Sequence, residues 1–249
     1  MIDHSQSTQK SACPPEISTE HSAKYHTEQH AEDLLLNLAR PIAECPISEL
    51  HGPYKRLVLW VQGCSVNCTE NCINPAALTD VIRYPIKVSE AVKQIKQRIA
   101  GRDDVEGLTI LGGEPSDQAG PLSALLKEIK QENLGVMLYS GHTLTKLKRL
   151  AQDHPEIDHL LAQVDLLIDG PFIDKLYDIS LLWRGSSNQG IHGLSSRYEA
   201  EIIEHEPVIR GVDILLSPEG RLHLSGMHNP QLTQDFEQVL HRIANLRHA

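Results

Sequence analysis

A chain of 249 residues is long enough for one well-filled α/β domain with appendages. Its 33 acidic against 23 basic residues leave a net charge of -10, and no basic block is long enough to track a phosphate backbone, so nucleic acid is not an expected partner. No stretch approaches the roughly 18 apolar residues of a membrane span, and Met1-Ile2-Asp3-His4 lacks the basic and apolar regions of a signal peptide, so the expectation is a cytoplasmic, reduced setting without membrane contact.

Residues 1–30 are Ser, Thr, His, Gln and Glu with scarcely an apolar side chain. Such a segment buries too little surface to offset the entropy of ordering it, so a disordered tail at 1–30 is expected ahead of a single domain at 31–249. His4, His21, His26 and His30 read as solvated side chains, and Cys13 beside Pro14-Pro15 as a free thiol. Leu34, Leu35, Leu36 and Leu38 predict a short helix ended by Pro41. Cys45 follows in an approach punctuated by Pro and Gly, distant in sequence from the remaining cysteines.

Leu57-Val58-Leu59-Trp60-Val61 is a continuous apolar run of strand length, the pattern of a strand covered on both faces. It runs into Gln62-Gly63-Cys64-Ser65-Val66-Asn67-Cys68-Thr69-Glu70-Asn71-Cys72-Ile73-Asn74-Pro75, where three of the five cysteines fall within nine residues. Three readings compete. A disulfide staple belongs to an oxidising compartment. Structural zinc usually draws four ligands from paired C-x2-C elements, and no fourth cysteine or close histidine follows. An iron–sulfur cluster is favoured, because three thiolates can hold three irons of a 4Fe-4S cube and leave the fourth open to a cofactor or substrate.

A helix with Val92, Ile95 and Ile99 on one stripe is predicted next, with Ser89 as N-cap and Gly101 at its end. Further strands are expected at Gly107-Leu108-Thr109-Ile110-Leu111, Gly135-Val136-Met137-Leu138-Tyr139 and Val164-Asp165-Leu166-Leu167-Ile168. Between them, Leu122, Leu125, Leu126 and Ile129 mark one helix, and Leu144, Leu147 and Leu150 begin another that breaks before Pro155 and resumes through Ile157, Leu160 and Leu161. This β-loop-α order demands parallel strands and right-handed crossovers, which puts every strand-end loop on one rim. Later, Val212–Leu216 and Arg221–Leu224 read as a hairpin about Ser217-Pro218-Glu219-Gly220, and Leu232, Phe236, Val239, Leu240 and Ile243 as an amphipathic helix.

On that rim, Gly112-Gly113 reads as a tight turn or as bare backbone able to approach a ligand, with Glu114 and Ser140 as acceptors on neighbouring strand ends. Asp169 before Gly170-Pro171 reads as a turn former or a site residue. Arg184 and Asn188 read as ordinary loop residues or as holders of a carboxylate or a nucleotide moiety.

Taken in order, Gln62-Gly63-Cys64-x3-Cys68-x3-Cys72-Ile73-Asn74-Pro75, Gly112-Gly113-Glu114-Pro115, Asp169-Gly170-Pro171-Phe172 and Arg184-Gly185-Ser186-Ser187-Asn188-Gln189 resemble the motifs of radical S-adenosylmethionine enzymes over roughly residues 50–225. The nearest likeness is to the activating component of anaerobic ribonucleoside-triphosphate reductase and related glycyl-radical activating enzymes. That family spaces its cysteines C-x3-C-x2-C, and here one residue is added between Cys68 and Cys72. The resemblance implies an α/β fold of the partial (β/α)6 barrel type, with Cys64, Cys68 and Cys72 ligating a 4Fe-4S cluster whose open iron is chelated by S-adenosylmethionine. It further implies that Gly112, Gly113 and Glu114 meet the methionine amino group, that Asn71 and Ile73 lie along the adenosine beside Cys72, and that Ser140 approaches the ribose. The implied reaction is reductive cleavage to a 5′-deoxyadenosyl radical, with a glycyl-radical enzyme as protein substrate and an electron donor such as flavodoxin or ferredoxin. Two rivals remain: a radical enzyme that modifies a peptide or small molecule, and a non-catalytic zinc- or cluster-binding interaction module.

Overall fold

The four apolar runs form the parallel centre of one sheet. The computed structural model describes residues 34–199, 211–216, 222–226 and 238–239. The expected tail at 1–30, the hairpin turn at 217–220 and all of the last helix except Gln238 and Val239, which are helical, lie outside the described residues.

In chain order the strands are β1 (Leu35–Leu38), β2 (Ile47–Ser48), β3 (Lys55–Val61), β4 (Tyr84–Lys87), β5 (Val105–Gly112), β6 (Gly135–Ser140), β7 (Leu166–Asp169) and β8 (Gly190–Gly193), followed by β9 (Asp213–Leu216) and β10 (Leu222–Ser225). The helices are α1 (Val88–Ile99), α2 (Ala119–Ile129), α3 (Leu144–Leu150) and α4 (Pro155–Leu161). The main sheet has the order β4-β1-β3-β5-β6-β7-β8, with β2 also on β3, and β9 and β10 pair as a separate ribbon. Strands β3, β5, β6 and β7 run parallel, whereas β1, β4, β2 and β8 join antiparallel. The fold is therefore mixed α/β.

Register places the chemistry. Val61 pairs with Gly112, and Ser140 with Asp169, so the C-terminal ends of β3 and β5, and of β6 and β7, lie side by side. Alternation divides the two sheet faces: Val136, Leu138 and Leu167 join the large core under the helices, while Met137, Leu166 and Ile168 form a smaller cluster with Trp183 and Tyr198. Helix α2 buries Leu122, Leu125, Leu126 and Ile129 in that large core, at the spacing expected of one helical face.

Two expectations need correction, and one strand was not foreseen. The leucines at 34–38 form strand β1 instead of a helix: Leu36 and Leu38 are buried while Leu35 is 62% exposed, an alternation of period two. A run of four residues cannot carry the cost of nucleating a helix, and β4 offers it a full antiparallel ladder from Leu35↔Lys87 to Leu38↔Tyr84. Ser89 is not the N-cap of α1, which begins at Val88 after an uncapped Lys87. Strand β8 went unforeseen because Gly190-Ile191-His192-Gly193 has only one apolar residue. Its position follows from Asp169, which accepts from the Gly190 N–H (3.1 Å) and from His192 Nε2 (3.0 Å).

At the other end of the strands sits Arg56, fully buried. Its guanidinium donates to Thr109 Oγ1 (2.8 Å), Glu106 Oε2 (2.7 Å), the Tyr198 hydroxyl (2.8 Å) and the carbonyls of Leu108 (2.8 Å) and Gly135 (2.9 Å). A buried cation is tolerable only when its donors are satisfied, and here one residue fastens β3, β5, β6 and the segment at Tyr198 together. Arg56→Met should strand those acceptors and lower stability by about 3–5 kcal/mol, read from urea unfolding.

Candidate functional site

A cleft enclosing about 930 Å³, its open mouth included, lies at the C-terminal ends of the parallel strands. Of the sequence-predicted residues, Cys64, Cys68, Ile73, Gly112, Gly113, Glu114 and Ser140 line it. Asn71, Cys72, Arg184 and Asn188 do not. Asn71 is exposed, Arg184 Nη1 donates to the Gln189 carbonyl (3.2 Å) within its own loop, and Asn188 Nδ2 ties that loop to the Pro171 carbonyl (2.7 Å) after β7, while Gly185 and Gln189 reach the cleft.

The cysteine loop is pinned along its length. The Gly63 carbonyl accepts from the Glu114 N–H (2.8 Å) and the Gly63 N–H donates to the Ala77 carbonyl (2.8 Å). Immediately after Cys64, the Asp117 carboxylate accepts from both the N–H (2.8 Å) and the hydroxyl (2.7 Å) of Ser65. The residue added between Cys68 and Cys72 falls in a local turn, in which Thr69 Oγ1 accepts from the Asn71 N–H (3.1 Å) and donates to Asp174 beyond β7. Trp60 Nε1 donates to Asn74 Oδ1 (3.1 Å), and the Asn74 N–H points at Cys72 Sγ (3.4 Å).

Gly113 is bare for the sake of this loop. A Cβ there would run into the Gly63 carbonyl and come within 2.9 Å of the Ala77 carbonyl. Gly112, at φ +122°, sits in the left-handed region, with a Cβ position 2.5 Å from the Val61 carbonyl. Glu114 is wholly buried, and its carboxylate accepts from the Ser116 N–H (3.0 Å) and hydroxyl (2.7 Å), the Ser140 hydroxyl (2.8 Å) and the Gly141 N–H (2.8 Å). Four donors satisfy a buried charge and tie the end of β5 to the end of β6. Ser140 is occupied on both sides, since its Oγ also accepts from the His142 N–H (3.0 Å). Asp169 caps α3 through the Leu144 N–H (2.5 Å).

The thiols lack the surroundings of an activated nucleophile. Burial pushes the Cys64 thiol up, and the Glu114 and Asp117 carboxylates add to this against the N–H groups of Asn67 and Val66. Burial likewise raises Cys72, offset by the Asn74 N–H and reinforced by its neighbours Cys68 and Cys64. A reactive thiolate needs a cation or a helix N-terminus to lower its pKa, and no cation acts on either group. A metal centre supplies that positive charge and displaces the protons itself. All three cysteines are free, and among the described residues no three His, Cys, Asp or Glu side chains converge as ligands of a single ion. Three separate thiols on one anchored loop fit the separate irons of a cluster. Cys45, wholly buried and pushed up to about 12 chiefly by desolvation, stands apart from them, its Sγ 3.6 Å from the Pro41 carbonyl.

The family model of a 4Fe-4S single cluster domain matches residues 50–192. The chain belongs to that family. Its similar proteins include anaerobic ribonucleoside-triphosphate reductase-activating proteins from Vibrio cholerae (34% identical, spanning 59% of this chain and 93% of the relative), Escherichia coli K12 (28%, 60% and 95%) and enterobacteria phage T4 (28%, 58% and 87%). An iron–sulfur cluster is the cofactor of the family, and among the described residues no helix is long and apolar enough to cross a membrane.

Sequence reasoning missed several of the cleft's residues. His51 and Trp60 line it with ring centroids 5.8 Å apart in an edge-on contact, and the burial of His51, together with the Arg40 charge, holds its imidazole near a pKa of about 4 and therefore neutral. Phe172 was quoted only within a motif, and Tyr139, which donates to the Trp183 carbonyl (2.9 Å), only as part of a strand. No local signal marks His51, whose place depends on the chain's path before β3. Gly113→Ala should reduce iron content on anaerobic reconstitution and lower stability by about 1–3 kcal/mol. Gly120→Ala in α2, where a Cβ meets nothing within 4 Å, should leave both at or above their wild-type values in the same iron assay and urea titration.

Proposed function

We propose that this protein is a radical S-adenosylmethionine enzyme that activates a glycyl-radical protein partner, with Cys64, Cys68 and Cys72 as ligands of a 4Fe-4S cluster. The observation that carries the reading is that Cys64 and Cys68 open onto the same cleft as the strand ends at Gly112, Gly113 and Ser140. The relatives' shared name supports the partner: a protein of the anaerobic ribonucleoside-triphosphate reductase kind. Held at Cys64, Cys68 and Cys72, the cluster together with S-adenosylmethionine would supply reductive cleavage, with one electron drawn from an external donor, and hydrogen-atom abstraction from the partner's glycine.

The chain's own residues bind, orient and exclude water. Asp117 fixes Ser65, and hence the direction in which Cys64 leaves β3. Glu114, saturated by its four donors, acts in this reading as a rigid brace between strand ends, so that the amino group of the cofactor would meet backbone around Gly112 and Gly113. Ile73, Val66, Leu111 and Phe172 give the cleft its apolar walls, which suit an adenosine and keep water from a species that reacts with its nearest neighbour. In this reading the four parallel strands and the helices between them are part of a partial (β/α)6 barrel, whose open side suits a macromolecular substrate, and flavodoxin or ferredoxin serves as electron donor.

Two measurements test it. Cys64→Ser, Cys68→Ser and Cys72→Ser should each lose the 4Fe-4S absorbance after anaerobic reconstitution while Cys45→Ala keeps it; an intact cluster in Cys72→Ser would remove that residue from the ligand set. Reduced wild type, chromatographed after incubation with S-adenosylmethionine, should yield 5′-deoxyadenosine even without a partner. No product from a cluster-loaded, reduced protein would overturn the enzymatic reading.

A further inference from the structure

The family match ends at residue 192, yet the cleft is finished by residues well beyond it. Among the described residues strands β9 and β10 pair with each other and with no other strand, and at the end of β10 Ser225 and Gly226 enter the cleft lining. Ser225 Oγ lies 2.5 Å from His51 Nε2, and the two residues are 4% and 8% exposed. The neighbouring backbone is stitched to the same place. A Cβ on Gly226, at φ +121°, would lie 2.5 Å from the Gly211 carbonyl and 3.1 Å from Leu50 Cδ1, and one on Gly211 would lie 3.4 Å from Leu50. Both ends of the hairpin thus meet Leu50-His51.

From there a continuous path reaches the cysteines. The His51 ring packs edge-on against Trp60, Trp60 Nε1 holds Asn74, and the Asn74 N–H points at Cys72 Sγ. A hairpin serving only to cover the sheet would need no buried side-chain hydrogen bond inside a cleft, since an isolated polar contact there is costly unless both partners are satisfied.

We propose that the β9–β10 hairpin is a specificity element of the cleft: fastened through Ser225 to His51, it forms part of the wall and limits the size of the group that can reach Cys64. This deepens the proposed function, on which the identity of that group, a narrow backbone segment of a protein partner, depends. The size limit itself is a property of the chain and is read without any cofactor.

The experiment uses the full-length chain, reduced and free of metal, and follows alkylation of Cys64 and Cys68 by peptide mass spectrometry. Each protein is treated with N-ethylmaleimide or with the same maleimide on a long polyethylene glycol. Wild type should favour the small reagent at Cys64, which is 8% exposed, with exposed Cys68 as the reference that takes both. Ser225→Ala should shift the ratio toward the bulky reagent by about fivefold, the weight of one neutral hydrogen bond in an equilibrium, and Ser225→Thr should restore it. His51→Phe, which keeps a ring against Trp60 without the hydrogen bond, should reproduce the shift and serves should Ser225→Ala fail to fold. An unchanged ratio in the folded variants overturns the inference. A shifted ratio in a protein whose wild type yields no 5′-deoxyadenosine overturns the proposed function and leaves the size limit standing.

Discussion

The close approach of the Gly63 carbonyl to Gly113 is the constraint on which the site depends. It joins the first residues after β3 to the first after β5, with the Gly113 N–H on the Val61 carbonyl (2.9 Å) and the Glu114 N–H on the Gly63 carbonyl (2.8 Å). Two strand ends become one piece of backbone, and the direction in which Cys64 departs is settled before any side chain takes part. Glu114 then extends the same piece sideways to Ser140 and Gly141 at the end of β6. A rim built this way is held by backbone and by one fully satisfied carboxylate, so it keeps its shape with the cleft empty or full.

Stability and chemistry sit at opposite ends of the same strands. Arg56 gathers β3, β5 and β6 near their N-terminal ends, where Glu106 and Arg197 complete the network (Arg197 Nε to Glu106 Oε1, 2.7 Å). The rim, by contrast, carries the polar and glycine residues that a tightly packed core would reject. The separation leaves the loop sequences on the rim free to serve a ligand while the far end keeps the strands aligned.

Most of this was legible in the chain because parallel strands buried on both faces write themselves as apolar runs, as at Leu57–Val61 and Gly107–Leu111, and because loops after such strands fall on one rim. What escaped was set by tertiary pairing. Leu35–Leu38 became a strand because β4 lay beside it, and β8 formed on hydrogen bonds donated to Asp169 in a segment with almost no apolar content. For the site, Cys64, Cys68 and the glycine pair announced themselves by type and spacing, whereas His51 and Ser225 are 174 positions apart and meet only in the folded chain. Glu114 was legible as a rim residue, but the saturation of its carboxylate by four donors was not.

The turn at Thr69 makes the loop tolerant of its own length. By folding the added residue into a side-chain-closed turn, with Thr69 accepting from the Asn71 N–H and anchored to Asp174, the loop accommodates a change of length between two anchor points, Ser65 and Asn74. One threonine thus closes the longer stretch between Cys68 and Cys72, while the loop stays held at Ser65 and Asn74.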